Sequence, residues 1–328
     1  DTTGTLSITG NYTQGAGGAL NVELQSATAG DFDVLAVSGA ATLGGTLNVS
    51  YLGGYVVAGA AHPVLTYASQ AGTFATINDL QAQSASYGGA VFSLIGAVGG
   101  VSWDNGAGDF LWTSLLNWST DLLPGSTQNV TISVLGSPVT LSSGAHSIKS
   151  LLSDANLIVS GGSLTLANPS TINAALTVSG GTVNANGGLT TSALTVSSGT
   201  LNGLASLIVS NGFSHSGGTI GSGFSLLDIT QASGVLSVAV PLAATTISLT
   251  APDLALTASL TGTGALTLRP AAASSSIGIG TGAVGSFSLD TTEIGLLTNG
   301  FSSMTIGRPD GSGIVTAQGP VTFLDPVT

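Results

Sequence analysis

Few groups in this chain are able to do chemistry, and they are scattered. Its histidines are His62, His146 and His215. A serine or threonine nucleophile needs such a base close by and oriented by a third group. Each histidine stands beside Ser, Pro or Ala with no acidic motif next to it, so each reads as a surface or turn residue. A metal centre needs clustered ligands, and the chain has no cysteine. Asp31 with Asp33, and Asp104 with Asp109 around Gly106 and Gly108, form acidic pairs. They read as solvated turn carboxylates, with weak calcium sites as the alternative. No cofactor is expected.

Arg269 and Arg308 stand apart, each followed by proline. A polysaccharide lyase needs a basic group with carboxylates around it, and a glycosidase needs two carboxyl groups roughly 5–9.5 Å apart. No acidic cluster recurs along the chain, so the reading is non-enzymatic. The run from Gly307 to Gly313 is glycine-rich but lacks the Lys-Ser/Thr of a phosphate loop, and reads as a turn. Asn11, Asn48, Asn117 and Asn129 head glycosylation sequons of the kind that chance produces in a Ser/Thr-rich chain. Trp103, Trp112 and Trp118 are the chain's only tryptophans. Their rings could stack on sugars, but they read first as a core plug at a module junction, because Trp contributes a large apolar area.

The elements that must position these groups are β-strands. Lys and Arg together number 3, Asp and Glu 15, and 43% of the 328 residues are hydrophobic. Helix surfaces draw on Glu, Lys and Arg, whereas strands favour Val, Ile and Thr. With so few charges, Ser, Thr, Asn, Gln and Gly must cover the surface. The net charge of −12 and the three scattered cations exclude nucleic-acid binding, which needs clustered Lys and Arg. Polar residues interrupt every apolar run, so no segment reads as a membrane span.

A short phrase recurs: Leu157-Ile158-Val159-Ser160-Gly161, Leu176-Thr177-Val178-Ser179-Gly180, Leu194-Thr195-Val196-Ser197-Ser198-Gly199 and Leu207-Ile208-Val209-Ser210-Asn211-Gly212. The steps between successive valines are 19, 18 and 13 positions. Between the phrases lie alternating runs such as Ser163-Leu164-Thr165-Leu166, Thr182-Val183-Asn184 and Thr200-Leu201-Asn202. Alternation bounded by Gly or Asn is the strand signature, and this period fits one coil of a β-solenoid. Leu157, Val159, Leu164, Leu166, Leu176, Val178, Leu194 and Val196 are then expected to form inward columns, with Gly and Asn at the corners. The short step at Val209 predicts a bulge or short coil. A longer turn is expected near residues 53–63. Three modules follow: a solenoid over 1–100, a Trp-rich junction over 101–128 and a second solenoid over 129–328.

These phrases resemble those of large bacterial adhesins of the autotransporter-passenger and filamentous-haemagglutinin type. Gly4-Thr5-Leu6-Ser7-Ile8-Thr9-Gly10-Asn11-Tyr12 and Gly44-Gly45-Thr46-Leu47-Asn48-Val49 look like passenger repeats. Ser276-Ile277-Gly278-Ile279-Gly280 and the run from Gly300 to Arg308 look like haemagglutinin repeats, and Asn117-Trp118 before Pro124 is similar to their linkers. The resemblance implies an all-β, right-handed parallel β-helix with irregular coils, exported by a type V route to the cell surface. The signal peptide is expected outside this chain, which reads as a piece of something longer. The function it implies is a non-enzymatic structural or adhesive rod. A self-assembling subunit of a filament, sheath or surface layer is the alternative, and a polysaccharide-active β-helix enzyme comes third. Self-association by coil stacking or lateral packing is expected. Surface glycans or a neighbouring cell surface are the other partners, with no nucleic acid and no membrane insertion.

Overall fold

The computed structural model describes residues 2–53, 55, 57, 60–79, 83–95, 100–133 and 136–328. The protein is all-β with long parallel sheets, and the described residues include one α-helix, Thr291–Ile294. The chain divides into two compact units. One holds Asp1–Val101 with Trp118–Gln128, the other Ser102–Asn117 with Asn129–Thr328. The Trp-rich segment 101–128 is thus shared between the units.

In the first unit each recurrence of the chain adds one strand to each of three sheets. Thr5–Ile8, Val34–Val37 and Ala61–Thr66 stack in parallel. So do Tyr12–Thr13, Ala40–Leu43 and Ser69–Gly72, and Ala19–Leu24, Thr46–Tyr51 and Thr76–Asn78. Rung-to-rung hydrogen bonds join residues 27 to 30 positions apart. The rung here is therefore longer than the 18–19 residues read from the recurring phrase. Three strands and three connections need the extra length. The expected turn near residues 53–63 falls partly outside the described residues.

One end of this unit departs from parallel pairing. Ser84–Tyr87 and Val91–Ile95 form an antiparallel hairpin, and Val91–Ile95 pairs antiparallel with Ala61–Thr66. Gly88-Gly89 supplies the reversal, closed by the Gly88 N–H donating to the Val91 carbonyl at 2.8 Å. Gly-Gly between two alternating runs is a hairpin signal that a uniform-solenoid reading passes over.

The second unit is built on one long parallel sheet. Its strands Asn129–Ile132, Ser150–Ser153, Ser170–Val178, Leu189–Val196, Ser206–His215, Leu226–Thr230, Thr246–Ala251, Ala265–Pro270 and Ser303–Ile306 follow in chain order. A second sheet stacks Ala145–Ile148, Ser163–Leu166, Thr182–Ala185, Thr200–Gly203 and Thr219–Ile220. All eight expected inward residues are buried. The 13-residue step proves to be a difference of register, not a short coil. Leu207 and Val209 align with Leu189 and Thr191, while Val196 aligns with His215. Each of these strands carries two inward-outward-inward segments in series, separated by a bulge. The phrase at Leu207 is the first of its pair, whereas the phrase at Leu194 is the second.

Glycine occupies the tight corners as expected. At Gly162, with φ +65°, an added Cβ would lie 2.3 Å from the Gly144 carbonyl oxygen of the rung before. Asparagine follows that expectation in part: Asn168 and Asn186 lie at turns, others do not. Asn21, Asn48 and Asn78 sit within strands and form a ladder: Asn78 Nδ2 donates to Asn48 Oδ1 at 2.8 Å, and Asn48 Nδ2 to Asn21 Oδ1 at 2.7 Å. Asn202, Asn184 and Thr165 repeat the pattern in the second unit at 3.3 Å. Stacking identical amides every ~4.8 Å lets each donate to the next.

The interval between Ala265–Pro270 and Ser303–Ile306 is doubled. It accommodates Ile277–Gly280, Phe287–Leu289 and the short helix. Asp290 caps that helix by accepting from the Glu293 N–H at 2.8 Å, and Glu293 accepts from the Asp290 N–H at 2.9 Å. This reciprocal Asp-x-x-Glu box is a helix-start signal, legible in the sequence once sought.

Candidate functional site

The tryptophans are core residues. Trp103 is 5% exposed, and Trp112 and Trp118 are wholly buried. The Trp103 and Trp112 N–H groups donate to the carbonyls of Thr131 and Thr140, both at 2.9 Å. That backbone pairing seats both side chains inside the second unit. No ring face is left open for a sugar, which favours the core-plug reading.

In the second unit, residues 104–117 form a loop held by Asn117. This side chain is completely buried. Its Nδ2 donates to Asp109 Oδ1 at 2.7 Å and to the Leu111 carbonyl at 3.0 Å, while its Oδ1 accepts from the Ala107 N–H at 2.9 Å. Asp109 also accepts from Ser114 Oγ and the Leu111 N–H. These donors hold its carboxyl below the usual carboxylate range, the Ser114 hydroxyl contributing most. Asp104 accepts from the Gly106 N–H. In the first unit Asp33 accepts from the Gly4 and Glu23 N–H groups and Asp31 from Ser26 Oγ. Both acidic pairs are committed to turn hydrogen bonds. Among the described residues no group of three or more His, Cys, Asp or Glu is placed to hold a metal ion.

Two of the histidines depart from the surface reading. His62 is fully buried and His215 is 4% exposed; only His146 is partly open. Alternation decides this: each buried histidine falls on an inward position of its strand. His62 belongs to an ordered hydrogen-bond chain. Asp79 as a carboxylate can only accept, so the Tyr51 hydroxyl donates to it. The Tyr51 oxygen then accepts from Gln83 Nε2 at 3.0 Å. Gln83 Oε1 is left to accept from His62 Nδ1 at 3.1 Å, and His62 Nε2 is hydrogen-bonded to the Tyr55 hydroxyl at 3.0 Å. The order of donors from the Asp79 end turns Nδ1 of His62 toward the Gln83 carbonyl oxygen. Burial pushes the His62 pKa down, against the opposing Gln83 hydrogen bond, the Leu94 backbone hydrogen bond and the Asp79 charge. Burial first, then Asp79, pushes the Tyr51 phenol up, so it stays a donor. Such a chain resembles a proton relay. The imidazole has no surface open to a substrate, and what the chain does physically is tie the segment carrying Asp79 and Gln83 to Ala61–Thr66. Nothing in the local sequence around His62 signals these partners, which lie up to 21 positions away.

The arginines are engaged as well. Arg308 forms a bidentate pair with Asp310, 2.9 Å on both sides, and its Nη1 donates to the Ala271 carbonyl at 3.0 Å. Arg269 Nε and Nη2 both donate to Thr250 Oγ1. The Gly307–Gly313 run is the turn expected, closed by the Gly311 N–H on the Arg308 carbonyl at 3.0 Å. Asn117 heads a sequon yet lies buried, whereas Asn11 and Asn129 are exposed.

Comparison with protein-family models, with curated proteins and with solved structures gives no match. Geometry alone therefore carries the functional argument. What it organises is a set of ladders: apolar columns inside, and Thr, Ser and Asn columns outside. On the long sheet one outward column runs Thr131, Leu152, Thr171, Thr190, Ile208, Asp228, Ser248, Thr267 and Thr305.

Proposed function

We propose that this protein is a non-enzymatic structural or adhesive element of a bacterial extracellular surface, built as a right-handed β-solenoid. The observation that carries the reading is the unbroken parallel ladder of the second unit, whose arginines are held by hydrogen bonds within the scaffold. Backbone hydrogen bonds and apolar columns run the length of such a ladder, so it resists extension and proteolysis without disulfides. The sparse charge fits a secreted surface protein of the adhesin type, whose repeats the sequence resembles. The outer columns, rich in Thr, Ser and Asn, offer hydroxyls and amides to glycans or to a neighbouring surface.

A second reading is a subunit of a filament, sheath or surface layer. The sparsely charged surface favours it, because few like charges hold neighbouring copies apart. Both readings are tested by a polysaccharide panel together with binding of protein-coated beads to glycans and cells. Binding without turnover is expected. Reproducible release of reducing or unsaturated ends would overturn the non-enzymatic reading, and a left-handed coil in an experimental density map would overturn the handedness.

A further inference from the structure

We infer that Asn299 is a self-modification site. Its side-chain amide is lost to attack by the Gly300 backbone nitrogen, with Asp325 as the base that takes the proton. The chain has five Asn-Gly pairs, at Asn105, Asn186, Asn202, Asn211 and Asn299. Glycine sets no side chain in the way of a five-membered ring, so each pair is able to close one in an unfolded chain. Folding separates them.

Four pairs are restrained. Asn202 donates from Nδ2 to Asn184 Oδ1, and Gly203 is paired with Ala185 in the second sheet. Asn211 and Gly212 lie within the strand Ser206–His215, and the Asn211 carbonyl accepts from the Ala232 N–H at 3.0 Å. At Gly187 an added Cβ would lie 2.2 Å from the Asn168 carbonyl carbon of the rung before, so that corner has no room to turn. The Asn105 amide oxygen is buried, and Gly106 sits tightly against the Leu116 carbonyl.

Asn299 differs. It and Gly300 are exposed, in a turn between two anchors. The Thr298 N–H donates to the Leu260 carbonyl at 3.1 Å, and the Ser302 N–H to the Gly264 carbonyl at 2.9 Å. Between them the Gly300 N–H donates to the Asp325 carboxylate, 3.2 Å from Oδ1 and 3.1 Å from Oδ2. Those distances are within reach of proton transfer. As the Gly300 nitrogen bonds to Asn299 Cγ, its proton passes to Asp325. The Cγ–Nδ2 bond then breaks, and the amide nitrogen leaves as ammonia carrying that proton. Water opens the resulting succinimide at either carbonyl, giving aspartate or isoaspartate.

Either product sets a second negative charge beside Asp325, which also accepts from the Phe301 N–H at 3.0 Å. The residues after Asp325 are clasped to the strand Ser303–Ile306. The Met304 N–H donates to the Pro326 carbonyl at 2.7 Å, and the Thr328 N–H to the Met304 carbonyl at 2.9 Å. Repulsion at Asp325 loosens this clasp, so the modification acts as a slow timer on it.

To test this, the full chain is held in neutral buffer at physiological temperature, native and denatured in guanidinium. Each Asn-Gly pair is followed by peptide mass mapping that separates aspartate from isoaspartate. In the native chain Asn299 should convert ahead of the other four, and no more slowly than in the denatured chain. Asp325→Asn should slow it by about tenfold or more, while Asn202 stays unreactive. Asn299→Asp should raise amide exchange over residues 325–328, and unchanged exchange there would remove the timer. Native Asn299 that lags behind another pair or behind the denatured chain overturns the inference. So does equal or faster conversion in Asp325→Asn, which would show that Asp325 only restrains the turn.

Discussion

His215 stands directly beside Val196 in the long sheet, at the position where the two preceding rungs carry Val178 and Val159. The valines are 0% exposed and His215 is 4% exposed. Neither of its ring nitrogens makes a well-formed hydrogen bond, only the Gly218 backbone stands near enough to favour the charged ring, and Phe213 lies edge-on at 6.2 Å. A polar ring has taken a valine's place with little polar company.

Replacing it should therefore stabilise the protein. His215→Val removes an unsatisfied buried group, a change of about 1–3 kcal/mol. The column becomes four valines in register. Thermal unfolding should shift upward by roughly 2–4 °C per kcal/mol. An unchanged or lower transition would show that the imidazole is accommodated in some other way.

The two buried histidines should make the fold acid-sensitive. Burial lowers the folded pKa of both His62 and His215 below the ordinary 6.5. Below pH 6.5 the unfolded chain then binds protons that the folded chain refuses. Stability is full above about pH 7 and falls as the pH drops through 6.5 toward the folded values. The slope is about 1.4 kcal/mol per pH unit for each histidine. Denaturant titrations from pH 7.5 to 5 should show this slope, and His215→Val should remove one histidine's share. Stability that rises on acidification would contradict the assignment.

A third prediction concerns the size of a column. In the second sheet Ile148, Leu166, Ala185 and Gly203 follow one another in register. The side chains shrink until Phe224, fully buried, fills the space. An added Cβ on Gly203 would lie 2.0 Å from the Phe224 ring. Gly203→Ala should thus cost about 1–3 kcal/mol through overpacking. Adding Phe224→Leu should recover part of that loss, a coupling that a double-mutant cycle measures. Purely additive effects would refute the fit.

Asn117 gives the fourth. Asn117→Ala leaves the Ala107 N–H and the Leu111 carbonyl without their buried partner, at about 1–3 kcal/mol. Limited proteolysis should then cut within residues 104–117 while the parallel ladder survives. Expressed with a glycosylation system, the wild-type chain should carry sugar at exposed sequons such as Asn11 and none at Asn117. A glycan on Asn117 in the folded protein would contradict its burial.

The ladder was legible because its signal is local. Leu176-Thr177-Val178 alternates, ends on glycine, and returns after one rung. The longer rung of the first unit was hidden because three strands of unequal length replace one repeated phrase. The step at Val209 misled because two similar phrases share a strand, and only pairing distinguishes the first from the second. His62 and His215 were misjudged by polarity, although their positions in alternating strands mark them as inward. The partners of His62, and the buried role of Asn117, depend on chain segments brought together by folding, which sequence spacing does not reveal.

The most direct test of the account uses the outward column of the second unit. Spin labels are placed on cysteine at Leu152 and, in turn, at Ser248, Thr267 and Thr305. Pairwise registers put these five, six and seven rungs from Leu152. At ~4.8 Å per rung, pulsed electron–electron distances should centre near 24, 29 and 34 Å, rising evenly with narrow distributions. Distances that fail to rise in that order, or that spread broadly, would contradict a continuous parallel ladder.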